Sequence, residues 1–358
     1  MIRLTGLLIA VVFMLGVAAG TCYAANKYNS VAVKYFKQAE KSFKDSQYEK
    51  AIISYGKAVE LQANYAEAYN GRGTAYTEIG QNEKALSDFS KAIEINSQYI
   101  AAYDNRGWSF HTLGQDEKAI SDYNQAISLD AKYSTAYNHR GLSYIELRKY
   151  DKALEDLSEA LKLKPDYASA YSNRGWSYYK QGKYELAISD YNKALQLKGI
   201  STALIYHNRG LAYSASKQFD LALDDFDKVL AIEPANIVVY NEKAYIYFDL
   251  GQYDKAAAEI TKGLKIDPKA ANGYDSRAEF YIAQGKYAEA AEDCETALTL
   301  DEKLYSAYYH KGIALERLGN FTEALAAYAA YLTFAQEGDD DVEKIKGHLT
   351  ELVWSVNG

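Results

Sequence analysis

The chain has 358 residues, with 40 lysines and arginines against 48 aspartates and glutamates, giving a formal net charge of −8. That balance argues against nucleic acid as a partner, because phosphate binding needs a basic stripe that displaces counterions. Only two cysteines are present, too few for a disulfide framework.

The N-terminus reads as an export signal. Arg3 precedes an apolar run from Leu4 to Ala19, and Thr21-Cys22-Tyr23-Ala24 follows. A charged start, an apolar stretch and a small-x-Ala site predict cleavage after Ala24. An uncleaved membrane anchor and a lipidated Cys22 are the alternatives. The expected location is periplasmic or cell-surface. With residues 1–24 removed and 25–31 as a short lead-in, Cys294 is the one remaining cysteine. It falls in an interior column and reads as a buried, inert thiol.

From there a ruler runs down the chain: Tyr35, Tyr69, Tyr103, Tyr137, Tyr171, Tyr206, Tyr240, Tyr274 and Tyr308. Each step is 34 residues except Tyr171 to Tyr206, which is 35. A period of this length marks a stacked repeat array. Four places after each tyrosine comes a small residue, such as Gly73, Gly107, Gly141, Gly175 and Gly312, and twelve places further an alanine, from Ala51 to Ala324. Between them stand Gly80, Gly114, Gly182, Gly251, Gly285 and Gly319, at helix-ending positions. Pro165, Pro234 and Pro268, the only prolines, share one column at the end of the unit. Each unit therefore predicts two amphipathic helices with breaks at the Gly and Pro columns. The tyrosines are expected in the core, as a ruler and not as a site. The extra residue near Gly199 predicts an altered junction. A basic residue three places after the tyrosine (Arg72, Arg106, Arg140, Arg174, Arg209, Lys243, Arg277) recurs with an acid sixteen places on (Asp88, Asp122, Asp156, Asp190, Asp225, Glu259, Asp293). This predicts a ladder of structural ion pairs, within a unit or across the next junction. The first unit has Gln38 and Ser54 instead.

These columns resemble the tetratricopeptide repeat family, with tyrosine in place of its opening tryptophan. The resemblance covers residues 32–338 as nine repeats (32–65, 66–99, 100–133, 134–167, 168–202, 203–236, 237–270, 271–304 and 305–338). It implies an all-α, right-handed superhelical solenoid whose first helices line a concave groove. Residues 339–358 are expected to cap the stack, with Val342, Ile345, Leu349, Leu352 and Val353 on one stripe.

No nucleophile, base and orienter fall together, so no catalytic residues, metal site or cofactor are expected. His111, His139, His207 and His310 lie on first helices without the i, i+4 spacing of a metal pair. Lys84, Lys118 and Lys152 read as a solvated outer face.

The groove holds the candidate site. In the places that face inward in the family, this sequence supplies Trp108, Leu142, Ile145, Trp176, Tyr179, Leu211, Tyr245 and Phe248. A partial asparagine ladder, Asn105, Asn173 and Asn208, is set to grip a peptide backbone. The family's carboxylate clamp lacks its lysine. Groove acids (Asp104, Glu146, Asp249, Asp275, Glu279) outnumber bases such as Lys180, so the expected guest is a neutral or basic polypeptide with apolar anchors. The expected function is a non-enzymatic exported scaffold or adaptor in bacterial envelope assembly or secretion. A structural subunit, or an accessory to a glycan- or polymer-handling enzyme, is the alternative.

Overall fold

The computed structural model describes residues 28–197, 199–334 and 342–349. The export segment and Cys22 lie outside them, as do Leu352 and Val353. Among the described residues every regular element is a helix.

The helices come in pairs. They are α1 (Ser30–Lys44) with α2 (Tyr48–Leu61), α3 (Ala66–Glu78) with α4 (Asn82–Ile95), and α5 (Ile100–Thr112) with α6 (Asp116–Leu129). Next are α7 (Ser134–Glu146) with α8 (Tyr150–Leu163), α9 (Ala168–Lys180) with α10 (Tyr184–Gln196), and α11 (Thr202–Ala215) with α12 (Phe219–Ile232). The last pairs are α13 (Ile237–Asp249) with α14 (Tyr253–Ile266), α15 (Ala271–Ala283) with α16 (Tyr287–Leu300), and α17 (Tyr305–Arg317) with α18 (Phe321–Phe334). A further helix, α19, covers residues 342–349. The chain divides into two compact units, Met1–Ala212 and Tyr213–Gly358, and the division falls inside α11 rather than at Gly199.

Each first helix ends the same way. The Gly80 amide bonds the Thr77 carbonyl at 3.0 Å and the Gln81 amide bonds that of Tyr76 at 2.9 Å. This Schellman pattern needs a left-handed residue at the turn, and Gly80 supplies it with φ 74°. Three repeats lack the glycine, and Ser46, Arg148 and Lys217 are forced to φ 56°, 56° and 61°.

The core is built from two opposed columns. The second-helix alanines are fully buried, and beside them lie Tyr55, Phe89, Tyr123, Leu157 and Tyr191 in the first unit and Phe226, Ile260, Cys294 and Tyr328 in the second. The small first-helix residues make room for these side chains. A Cβ on Gly107 would sit 2.6 Å from the Tyr123 ring, and one on Gly312 would sit 2.5 Å from Tyr328. Burial pushes the Cys294 thiol well above its ordinary pKa, which keeps it protonated and inert as expected.

The ruler tyrosines differ from expectation. They are half-buried, not core residues, and six of them (Tyr69, Tyr103, Tyr137, Tyr171, Tyr206 and Tyr274) offer one ring face to the arginine three places on. The guanidinium carbon lies 5.5 Å from the ring centre in Arg72–Tyr69 and Arg140–Tyr137, and 5.4 Å in Arg277–Tyr274. The same arginine makes the ion-pair ladder, and the pairs fall within a repeat. Arg140 Nε and Nη2 donate to both Asp156 oxygens at 2.7 and 2.6 Å, while its Nη1 reaches back to Asn124 of the preceding repeat at 2.5 Å. Arg106, Arg174 and Arg277 do the same with Ser90, Ser158 and Thr261. One side chain thus joins three helices. Burial raises the Asp156 pKa against the pull of Arg140, so this device fixes register at some desolvation cost.

Each unit has an outer repeat that further residues cover. Tyr28 stacks on Tyr65 with ring centres 4.0 Å apart and donates to Glu67 Oε2 at 2.9 Å. On α19, Ile345 is buried against Leu315, Tyr328 and Tyr331, with Val342 and Leu349 beside it. Glu343, Lys344 and Lys346 are exposed, the polar outer face that a terminal helix needs.

Candidate binding surface

The first helices α5, α7 and α9 pack directly against one another. The fifth place after the ruler tyrosine therefore forms a row along them: Trp108, Leu142 and Trp176, all half-buried. Leu211 and Asn208 are also half-buried, on α11. Ile145 departs from expectation. It is buried, 5% exposed, in the cluster with Leu157 and Leu161, because its place on the last turn of α7 turns it under the helix against α8.

The aromatic side chains are held by their neighbours. Trp176 stacks on Tyr179, with centres 5.1 Å apart and planes 17° apart, and Lys180 Nζ lies 4.6 Å from the Trp176 ring centre. Trp108 packs against two imidazoles, His111 at 5.3 Å and His139 at 4.9 Å between ring centres. Each imidazole has a buried carboxylate behind it. His139 Nδ1 is 2.9 Å from Asp104 Oδ1, and His111 Nδ1 is 2.6 Å from Asp116 Oδ1.

Two of the three asparagines do not offer free donors, contrary to expectation. Asn105 donates to Asn70 at 3.0 Å and Asn173 donates to Asn138 at 3.0 Å. These bonds join the place after one ruler tyrosine to the second place after the next. Asp104–His139 uses the same two places, and so does Asp275–His310 at 2.7 Å. Inter-repeat rungs are thus built in two chemistries, Asn–Asn and Asp–His. The signal was in the sequence, where acid goes with histidine and amide with amide at a spacing of 35. It was missed because the columns were read singly. The rungs also correct the charge reading, since Asp104 and Asp275 are buried and bonded to histidines rather than facing a guest.

The second unit carries its own cluster. Tyr245 and Phe248 are half-buried against Phe280, with ring centres 5.3 and 5.1 Å from it. The Tyr245 hydroxyl donates to Glu279 Oε2 at 3.0 Å and lies 3.2 Å from the Ser276 hydroxyl. Burial raises its pKa to about 12, so it remains a donor. Lys84, Lys118 and Lys152 of the second helices are exposed, yet they lie over Tyr76, Phe110 and Tyr144 of their own repeats.

Helix pairs with a glycine turn, a small–large core and a recurring period define a repeat scaffold in which first helices adjoin one another within a unit. Models described as TPR repeat match residues 42–80, 107–147 and 141–182, and models described as tetratricopeptide repeat match 66–99, 168–199, 203–236, 237–270 and 276–341. The chain belongs to the tetratricopeptide repeat family. Its fold is similar to that of the APC/C hetero-tetramer Cut9–Hcn1, at TM-score 0.53 and 14% identity over 89% of this chain and 76% of that one. PilF of Pseudomonas aeruginosa gives TM-score 0.53 and 19% identity over 59% of this chain and 96% of that one. PilW, described as a widely conserved type IV pilus biogenesis factor, gives 0.53 and 18% over 57% and 95%. At these identities the likeness is one of fold. No curated protein matches the chain.

Proposed function

We propose that this repeat scaffold is an exported, non-enzymatic adaptor that holds an extended polypeptide segment along its first-helix wall. The observation that carries this reading is the row Trp108, Leu142 and Trp176 on three adjoining first helices. Large aromatic side chains dominate interface hot spots, and Trp108 and Trp176, like Leu142 between them, stand outside the fully buried core columns. Adjoining helices pack about 8–10 Å apart, and a polyproline-type chain advances about 3.1 Å per residue. Every third residue of such a guest would meet the next anchor. Glu146, exposed at the end of α7, favours a neutral or basic guest. The charged start and apolar run before Ala24 support export and a place in envelope assembly or secretion.

The test is a labelled, weakly basic peptide with an apolar residue at every third position, titrated by fluorescence anisotropy. Trp108→Ala with Trp176→Ala should weaken it at least about tenfold, the scale of a hot-spot pair, with the helical dichroism unchanged. Unchanged affinity, together with unchanged partners in native envelope extracts, would discard the groove reading and leave a structural subunit. Protection of the same tryptophans by a glycan would point to a polymer-handling accessory. Fractionation with an N-terminal mass measurement tests the export reading.

A further inference from the structure

The same surface contains a feature that a peptide groove does not require. Inter-repeat rungs need no charge, as Asn70–Asn105 and Asn138–Asn173 show. Between these two neutral rungs stands Asp104–His139, and its imidazole also packs on Trp108. His111, held by Asp116, packs on Trp108 from its own helix. The anchor is therefore bracketed by two groups of the one side-chain type that ordinarily titrates near neutral pH.

We propose that His111 and His139 form a proton-operated bracket that tightens on Trp108 as pH falls and releases it as pH rises. Protonation turns each histidine–aspartate contact into an ion pair with a buried carboxylate, which strengthens a charge-assisted hydrogen bond. It also places a cation within about 6 Å of an indole ring, where cation–π attraction operates. Both effects favour the closed arrangement in the acidic state. The other groups around the bracket carry no opposing charge. Tyr123 of α6 lies 5.7 Å from His139, ring centre to ring centre, and burial keeps its phenol neutral. The Tyr133 hydroxyl donates to Asp104 at 3.5 Å, and burial keeps Tyr133 and Tyr167 neutral as well. Ser143 of α7 lies 3.4 Å from His111 Nδ1. Among the described residues α3, α4, α8 and α9 bring no ion pair to either dyad. The bracket rests on the groove reading only for its consequence, a guest bound more tightly at higher pH.

The test needs no guest. With Trp176→Phe and Trp354→Phe, Trp108 is the sole indole of three. Its acrylamide Stern–Volmer constant should fall about twofold from about pH 8 to about pH 5.5, the range in which histidine titrates. Asp104→Asn with His139→Asn, which restores the neutral rung of the neighbouring junctions, should remove part of this change, and adding His111→Gln should remove the rest. Asp275→Asn with His310→Asn, at a rung distant in sequence, should leave the profile as it was. A profile flat in the parent, or unaltered in the triple variant with helical dichroism intact, would overturn the bracket. Peptide affinity measured at about pH 8 reports on the groove separately.

Discussion

At the scale of the residue, the arginine column ties three helices together. Arg140 holds both oxygens of Asp156, reaches Asn124 of the preceding repeat and lies over the Tyr137 ring. Lysine cannot reproduce a planar fork, and a repeat that carries one shows the difference. Lys243 Nζ is 2.5 Å from Asp227 of the preceding repeat but 3.7 Å from Glu259 of its own. The side chains of Arg140 and Asp156 are 18% and 9% exposed, so the full effect of breaking a buried pair is discounted for the exposed arginine. Arg140→Ala should destabilise by roughly 2–3 kcal/mol, below the usual range for a fully buried pair. Amide exchange should accelerate in α7 and α8 before distant repeats, since a repeat array opens locally. Uniform acceleration along the chain would contradict this. The two pairing columns were legible from the spacing of 16, but not whether a pair falls within a repeat or across the next junction. The third helix was not, because Ser90, Asn124, Ser158 and Thr261 share a hydrogen-bonding function but no single residue type.

At the scale of the element, the turn between paired helices shows where the sequence departs from its own rule. Six turns place glycine in the left-handed region, and Ser46, Arg148 and Lys217 occupy it without one. A side chain there crowds the following carbonyl by about 1–2 kcal/mol, partly offset because glycine gains more freedom when unfolded. Arg148→Gly should therefore stabilise by about 0.5–1 kcal/mol, read as a shift of the denaturation midpoint at unchanged slope. A lower midpoint would show that the Arg148 side chain contributes more than its backbone conformation costs. Here element ends were readable, since glycine and proline act through local backbone geometry. The burial of Ile145 was not, because whether the last turn of a helix faces outward or down depends on how its partner helix crosses it.

At the scale of the whole molecule, the tyrosines give the protein an alkaline limit. Burial holds the phenols of Tyr55, Tyr123, Tyr133, Tyr191 and Tyr328 above their ordinary value. The folded state thus favours the neutral form, and the unfolded chain ionises near pH 10. Stability from these groups is complete below about pH 10 and is lost as pH rises above it. Phenolate absorbance and loss of helical dichroism should therefore rise together above about pH 10. Ionisation of these five phenols with the helices intact would show that they reach solvent in the native state.

The sequence by itself determined the repeat, its period, the pairing of helices and the small first-helix and alanine second-helix columns of the core, because each follows from local periodicity and repeated columns. It also placed Trp108 and Trp176 outside the core. Only the tertiary structure decided what surrounds them. Six of the ruler tyrosines became arginine platforms, Asn105 and Asn173 became rungs, and Asp104 moved from the groove to a histidine behind Trp108. Each outcome depends on which side chain the neighbouring repeat presents at packing distance. A column read within one repeat carries no record of that neighbour.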